Sequence, residues 1–227
     1  MREILISIQP QWVEKILNGE KTIEIRKTMP KCELPCKVYI YCTKPKKWWA
    51  FSNWGATSDE LVWKIKDKVK MCNGLEVWDE DCEKLNGKVV AEFTLNKVDT
   101  IETCDPFVFR NGEQEDWWWF KSYACLDCEE IMSYIGYGND HDGWGNEYDK
   151  GYAWHIDNLK IYDKPKKLSE FSGFIPNNKC EKHENGFACD KCDAYDKEHD
   201  TCLALYYCRK PLKRPPQSWC YVEKLEG

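Results

Sequence analysis

Two groups of residues in this sequence combine type and spacing in ways suited to chemistry. The first is Cys189-x-x-Cys192, followed by Cys202 and Cys208. A Cys-x-x-Cys turn presents two thiolates to one tetrahedral ion, and a second pair closes the site, the pattern of a structural Zn2+ centre. Cys180 and His183 are alternate donors, and His199 is a further one. The surrounding segment is acidic and poor in aliphatics, so metal binding would supply folding energy that a core cannot. Redox-active thiols are the rival reading, against which stands the lack of any thioredoxin-like surroundings. Cys125-x-x-Cys128 has ligand spacing without a second pair and reads more simply as structural. The isolated cysteines, such as Cys36, Cys42 and Cys104, read as buried small hydrophobes.

The second group lies near the start of the chain. From Lys21 to Arg26 the residues alternate: Ile23 and Ile25 face one way, Thr22, Glu24 and Arg26 the other. That is a half-buried strand with a polar face. Lys21 and Glu24 are the candidate catalytic pair; Lys21, Thr22, Glu24 and Arg26 are candidate ligand-binding residues. A lysine beside a carboxylate in a dry cleft works in one of two ways. Desolvation depresses its pKa until it serves as a base, a shift the carboxylate opposes, or the pair stays charged and grips a polar ligand. Arg26 would offer its planar fork to a phosphate or carbonyl. The bland alternative is a cross-strand surface ion pair between Glu24 and Arg26, contributing about 0–1 kcal/mol. Trp48 and Trp49, with Trp54, stand among Lys44, Lys46 and Lys47. Aromatics interleaved with cations suit the stacking of single-stranded RNA, and equally suit packing of this segment onto the body of the protein. Trp154 reads as core, and His155, on the opposite strand face, reads more readily as a satisfied structural histidine than as a cleft residue.

The elements that must position these groups follow from pattern. Residues 4–8 form a first strand. Pro10, then Trp12, Val13, Ile16 and Leu17, mark a helix that Asn18-Gly19 ends. Further strands are expected at 21–26, 37–42, 88–95, 152–156, 160–162 and 218–222, with a short helix from an Asp127 cap to Ile135. Residues 43–86 break this rhythm and read as a Lys/Trp-rich insertion, helical near 59–71. Residues 105–124, with the Trp117-Trp118-Trp119 run, read as irregular, and 136–151 as a Gly-rich acidic loop. Strands without regular helical crossovers point to an α+β fold built on a mixed, barrel-like sheet. The expected body is 1–175 with 209–227, carrying a zinc-binding insertion at 176–208.

The 227 residues suit one elaborated domain, and 42% hydrophobic residues allow a sizeable core. Twelve tryptophans exceed what a small core absorbs, so some would form a contact surface. The formal net charge of −6 argues against a protein that coats duplex DNA by neutralising many phosphates. It leaves room for one nucleotide, or for RNA on a local basic patch. Acid collects at 113–116, 127–130 and 181–200, and lysines between 44 and 70. Such runs most simply form solvated faces. No signal peptide or apolar span is read in the sequence, so a cytoplasmic protein without membrane association is expected.

Ile6-Ser7-Ile8, followed by Val13-Glu14-Lys15-Ile16-Leu17-Asn18-Gly19-Glu20-Lys21-Thr22-Ile23-Glu24-Ile25-Arg26-Lys27, resembles the opening of the ASCH domain family. Its recurrent element is a helix ending in Gly before a Lys-Thr-x-Glu-x-Arg-like strand. Gly87-Lys88-Val89-Val90-Ala91 and Tyr152-Ala153-Trp154-His155-Ile156 fit in order, and 214–223 resembles phage-borne and Firmicutes members. The resemblance covers roughly half the chain. It implies a PUA-like barrel that binds RNA or a modified nucleoside in a cleft beside the first helix and second strand. One branch hydrolyses acetylcytidine with a Lys, a Thr and a Glu. Lys21 falls on that lysine, but Glu24 stands where that branch has Thr, and for the downstream glutamate Glu113, Glu115 and Glu129 are candidates. The resemblance therefore implies a binder of RNA or a modified nucleoside. The alternatives are an amidohydrolase of an acylated nucleoside, and a phage-derived factor contacting a host protein through 43–86.

Overall fold

The computed structural model describes residues 3–44, 61–66, 68–72, 82–140, 146–176, 195–196, 201–202 and 207–224. In chain order the first elements are β1 (Glu3–Ile8), α1 (Pro10–Leu17), β2 (Ile23–Arg26) and β3 (Cys36–Cys42). A three-stranded insert follows: β4 (Val62–Ile65), β5 (Lys68–Met71) and β6 (Cys82–Lys84). Next come β7 (Val89–Leu95), β8 (Val98–Cys104), β9 (Phe107–Arg110), β10 (Glu113–Gln114), α2 (Trp117–Tyr123) and α3 (Cys128–Ile135). The rest is β11 (Asn139–Asp140), β12 (Asn146–Glu147), β13 (Asp149–His155), β14 (Asp157–Lys166), β15 (Phe171–Pro176), β16 (Tyr195–Asp196), β17 (Thr201–Cys202), β18 (Tyr207–Pro211) and β19 (Trp219–Lys224). No described helix is long and apolar enough to cross a membrane.

The expected α+β class is met, but in place of the expected barrel-like sheet stand two open sheets, a mixed one and a wholly antiparallel one. One has seven strands in the order β14-β7-β3-β1-β19-β15-β18, the other five in the order β10-β9-β8-β13-β2. In the larger sheet β1 and β3 run parallel, and α1 and β2 lie between them in sequence. Both faces of β1 are covered: Ile4, Ile6 and Ile8 belong to one apolar cluster and Leu5 to another. A strand buried on both sides reads as a near-continuous apolar run, which is why residues 4–8 were legible. Trp154 of β13, fully buried, reaches into the cluster of the larger sheet and packs on Trp219 at 5.9 Å. The other side of the smaller sheet, with Ile23, Ile25 and Ala153, is covered by Phe120 of α2 and Ile131 and Ile135 of α3.

Helix α1 starts with Pro at its first position, where the missing N–H costs nothing, and buries Val13, Ile16 and Leu17. Gly19 ends it with φ +77, a left-handed turn that favours glycine. Helix α3 carries a full capping box: the Asp127 side chain accepts from Glu130 N, and the Glu130 side chain accepts from Asp127 N.

Three local expectations are also corrected. Residues 59–71 were expected to be helical; the described part forms the β4–β5 hairpin instead. Val62-Trp63-Lys64-Ile65 and Lys68-Val69-Lys70-Met71 alternate with period two, and α1 buries the Val62 and Val69 side. Residues 105–124 are ordered as β9, β10 and α2, where Trp119 packs on the smaller sheet's cluster while Trp117 and Trp118 stay exposed. The span 136–151 includes the β11–β12 hairpin and the start of β13. Gly151 in β13 meets α3 closely: a Cβ there would lie 2.4 Å from Ile135 Cδ1.

Candidate functional site

The turn at Gly19 sends the chain back along the end of α1, where Glu20 N and Lys21 N both donate to Lys15 O. Lys21 then enters the interior ahead of β2. Thr22 N donates to Tyr123 O, and Thr22 O accepts from Ile156 N, which fixes the register at the end of α2 and β13. On β2, Ile23 and Ile25 pack under α2 and α3, so Glu24 and Arg26 emerge on the opposite face. Trp154 and Tyr152 stand directly across from Glu24 and Arg26.

That face is the floor of a cavity of about 1060 Å3. The surface ion pair envisaged from the sequence is in fact a buried row. Lys21 is 2% exposed, Glu24 6% and Arg26 7%. Glu24 Oε2 lies 3.5 Å from Lys21 Nζ, and Glu24 Oε1 lies 2.9 Å from Arg26 Nη2. Lys21 Nζ also donates to Ala124 O at 2.5 Å. Arg26 Nη2 donates to Ser7 O at 2.7 Å and Nη1 to Ser218 Oγ at 3.4 Å, while its buried Nε has no partner among the described residues. Burial pushes the Lys21 ammonium below its ordinary pKa of 10.5, against the pull of Glu24 and Cys125. Two cations and one carboxylate leave the floor one positive charge in excess.

Trp12 of α1 stands in the wall with both Lys15 and Lys21 near its ring, at 5.8 and 5.1 Å from the centroid. Such pairs are attractive through the ring quadrupole. Leu126, Glu129, Glu130, Ser133 and Tyr134 also line the cavity. Two acids of this wall are tied locally, Glu129 accepting from Tyr137 OH at 2.7 Å and Glu130 from the Asp127 backbone. The C-terminal segment closes the rim, with Ser7 Oγ donating to Pro216 O at 2.7 Å.

The structure thus brings together Lys21, Glu24 and Arg26 and leaves out Thr22, which is exposed and absent from the lining. Of the three downstream glutamates, Glu129 reaches the cavity. Glu115 instead accepts from Arg110 Nε at 2.5 Å, and Glu113 is exposed. His155 bonds Asp99 Oδ2 at 2.8 Å on the other face of the smaller sheet. Trp48, Trp49, Cys180, His183, Cys189 and Cys192 lie outside the described residues; Cys202 and Cys208 fall on β17 and β18. Among the described residues, no three His, Cys, Asp or Glu side chains gather as a metal site would require. Three contributors escaped sequence reasoning: Trp12, whose helical spacing marked it as packing, the Ala124 carbonyl, and the 215–218 segment. The last two are joined to β1 and β2 only by long-range hydrogen bonds, which leave no local pattern.

No family model matches the chain. Over 46 residues, 20% of the chain, it is 37% identical to a curated protein of Zymomonas mobilis. That relative is an ASCH domain-containing ribonuclease. The match spans 31% of the relative's own length. Among solved structures, ASCH from Zymomonas mobilis is matched with a TM-score of 0.43 and 14% identity, over 99% of this chain and 98% of that one. A variant of the same protein is matched with a TM-score of 0.42 and 15% identity, over 98% and 89%.

Proposed function

We propose that this is an ASCH-type RNA-binding protein whose cavity receives an unpaired nucleotide. The observation that carries the reading is the buried Lys21–Glu24–Arg26 row, one positive charge in excess, lying at the floor beside Trp12. Lys21 and Arg26 donate and Glu24 accepts, so the row presents both kinds of group to the edge of a base, and Trp12 offers a ring on which it stacks. Arg26 of the row and Lys44, which also lines the cavity, are the cations available to the adjoining phosphate. The ribonuclease relative supports RNA as the ligand class. Fluorescence anisotropy with a labelled single-stranded RNA tests it. Trp12→Ala is expected to weaken binding about tenfold or more, since stacking contributes about 1–3 kcal/mol per base. Wild-type protein that shows no salt-dependent binding to RNA would remove this reading.

A second reading is favoured by one observation, the depressed pKa of Lys21. A lysine that gives up its proton easily serves as an acid–base catalyst, and the same cavity would then cleave RNA or hydrolyse an acylated nucleoside such as acetylcytidine.

The C-terminal cysteines keep the role their spacing suggests, a structural Zn2+ held by Cys189, Cys192, Cys202 and Cys208. Native mass spectrometry before and after a strong chelator is expected to show the loss of one zinc mass. Chelation should also increase proteolysis within 176–208, because metal binding and local folding are one event there. A purified chain at its metal-free mass would exclude the site.

A further inference from the structure

No described residue of β4, β5 or β6 lines the cavity, yet these strands have a face of their own. In its register Trp63 stands opposite Lys70 on one side and Lys84 on the other, and Ile65 stands opposite Lys68 and Cys82. Residues directly opposite in an antiparallel pair share a face. One face therefore carries Trp63 and Ile65 flanked by Lys68, Lys70 and Lys84. The other carries Val62 and Val69, buried in the main cluster. Glu83 belongs to that inner side, in register with Lys64, and pairs with Lys88 at 2.9 Å. The outward face bears no acid among the described residues. Its three lysines are exposed and make no ion pair among the described residues, and Lys66 is exposed at the β4–β5 turn. Trp63 is half-buried, with its Nε1 buried and without a hydrogen-bond partner among the described residues, so ring carbon is what it shows outward. In a chain of net charge −6, this is a local surface of a single positive sign around an aromatic centre.

We propose that this face is a second RNA contact, a stacking and phosphate-binding platform for the single strand whose unpaired nucleotide occupies the cavity. The proposal rests on the RNA reading of the cavity and adds where the rest of the strand runs. Helix α1 connects the two places. Pro10, Gln11 and Trp12 line the cavity, while Asn18 Nδ2 donates to Val69 O at 2.9 Å and Glu14 Oε1 accepts from Met71 N at 3.0 Å. At about 1.5 Å per residue this eight-residue helix is about 12 Å long, a distance that a few nucleotides cover. Lysines are point charges for phosphates, and an indole between them takes any base on its π-face. A duplex keeps its bases stacked inside and offers Trp63 nothing.

The test compares the full chain with a Lys68→Gln/Lys70→Gln/Lys84→Gln variant on labelled oligouridine of about 16 nucleotides, near the upper site size of one single-strand-binding fold. The expected result is a loss of about tenfold or more in affinity at low salt, with the salt slope reduced by about 2, since each phosphate neutralised on a single strand contributes about 0.7. Trp63→Ala is expected to weaken binding without changing the slope. A uridine mononucleotide, confined to the cavity, should bind both proteins alike. If the triple variant binds the long strand with unchanged affinity and slope while Trp12→Ala weakens it, the platform is refuted and the cavity reading stands. No binding by the wild type refutes both. Duplex RNA of the same length binding as tightly as the single strand refutes the single-strand assignment.

Discussion

Glu24→Ala is expected to lower the free energy of unfolding by about 3–5 kcal/mol, measured as a shift of the urea midpoint at unchanged slope. The carboxylate is 6% exposed and sits between Lys21 Nζ and Arg26 Nη2. Removing it leaves two buried cations with no anion between them. Lys21 retains the Ala124 carbonyl and the Trp12 ring, and Arg26 retains Ser7 O and Ser218 Oγ. Breaking one partner out of a buried ionic group is costly because the remaining charge cannot be resolvated. Lys21 would respond by losing its proton more easily, since Glu24 is the main influence holding that proton on. Replacing the whole row by apolar residues, Lys21→Met/Glu24→Leu/Arg26→Met, is expected to recover much of the lost stability, because apolar packing often equals or exceeds a buried ion pair. That variant should fail to bind RNA. Recovered stability with lost binding would show that the charges serve the ligand rather than the fold. If Glu24→Ala unfolds at the wild-type midpoint, the row does not hold its charges as the geometry implies.

The elements around this row were legible where local physics dominates. The α1 boundaries follow from Pro10 and Asn18-Gly19, and the α3 cap from Asp127. The polar face of β2 was legible because Ile23 and Ile25 alternate with Glu24 and Arg26. Its burial was not, because the groups that cover it come from β1, the turn after α2, and the segment before β19. Thr22 shares the parity of Glu24 and Arg26 but precedes the strand, and its backbone pairs with Tyr123 and Ile156 leave its side chain outside. The hairpin at β4–β5 was misread as a helix because lysine is a good helix former and the period-two alternation there spans only four residues per strand. What decided it was the apolar side of α1, which buries Val62 and Val69. Sheet openness also depends on which strands stand at an edge, among the described residues β14 and β18 in the larger sheet, and no residue in either states that by itself.

Lys21→Met is the substitution that separates a binder from a hydrolase. If the cavity is hydrolytic, neutral Lys21 accepts the proton of the attacking hydroxyl or water, and its loss should cost about 10²–10⁴ in the rate of RNA or acetylcytidine turnover. Affinity measured under non-turnover conditions should fall far less, since Arg26 and Trp12 remain. If the cavity only binds, the wild type shows no turnover, and the variant simply binds more weakly. A second, independent signature is pH dependence. Lys21 has a lower pKa in the folded chain than its unfolded value of 10.5, because burial disfavours the ammonium. Between the two values the unfolded chain holds a proton that the folded chain lacks, so unfolding takes up a proton and stability rises with pH through that window. Below the folded pKa the cost of burying the charge is fully present; above the unfolded value it is gone. The buried phenols of Tyr39 and Tyr162 act oppositely, losing stability as pH passes 10 because burial raises their pKa. The difference between wild type and Lys21→Met cancels them. That difference in unfolding free energy should therefore climb in favour of the wild type as pH rises toward 10.5, and the rate of any turnover should climb through the same folded pKa. A difference that stays flat across the alkaline range would mean that Lys21 keeps its ordinary proton affinity, and the hydrolytic reading would lose the observation that favours it.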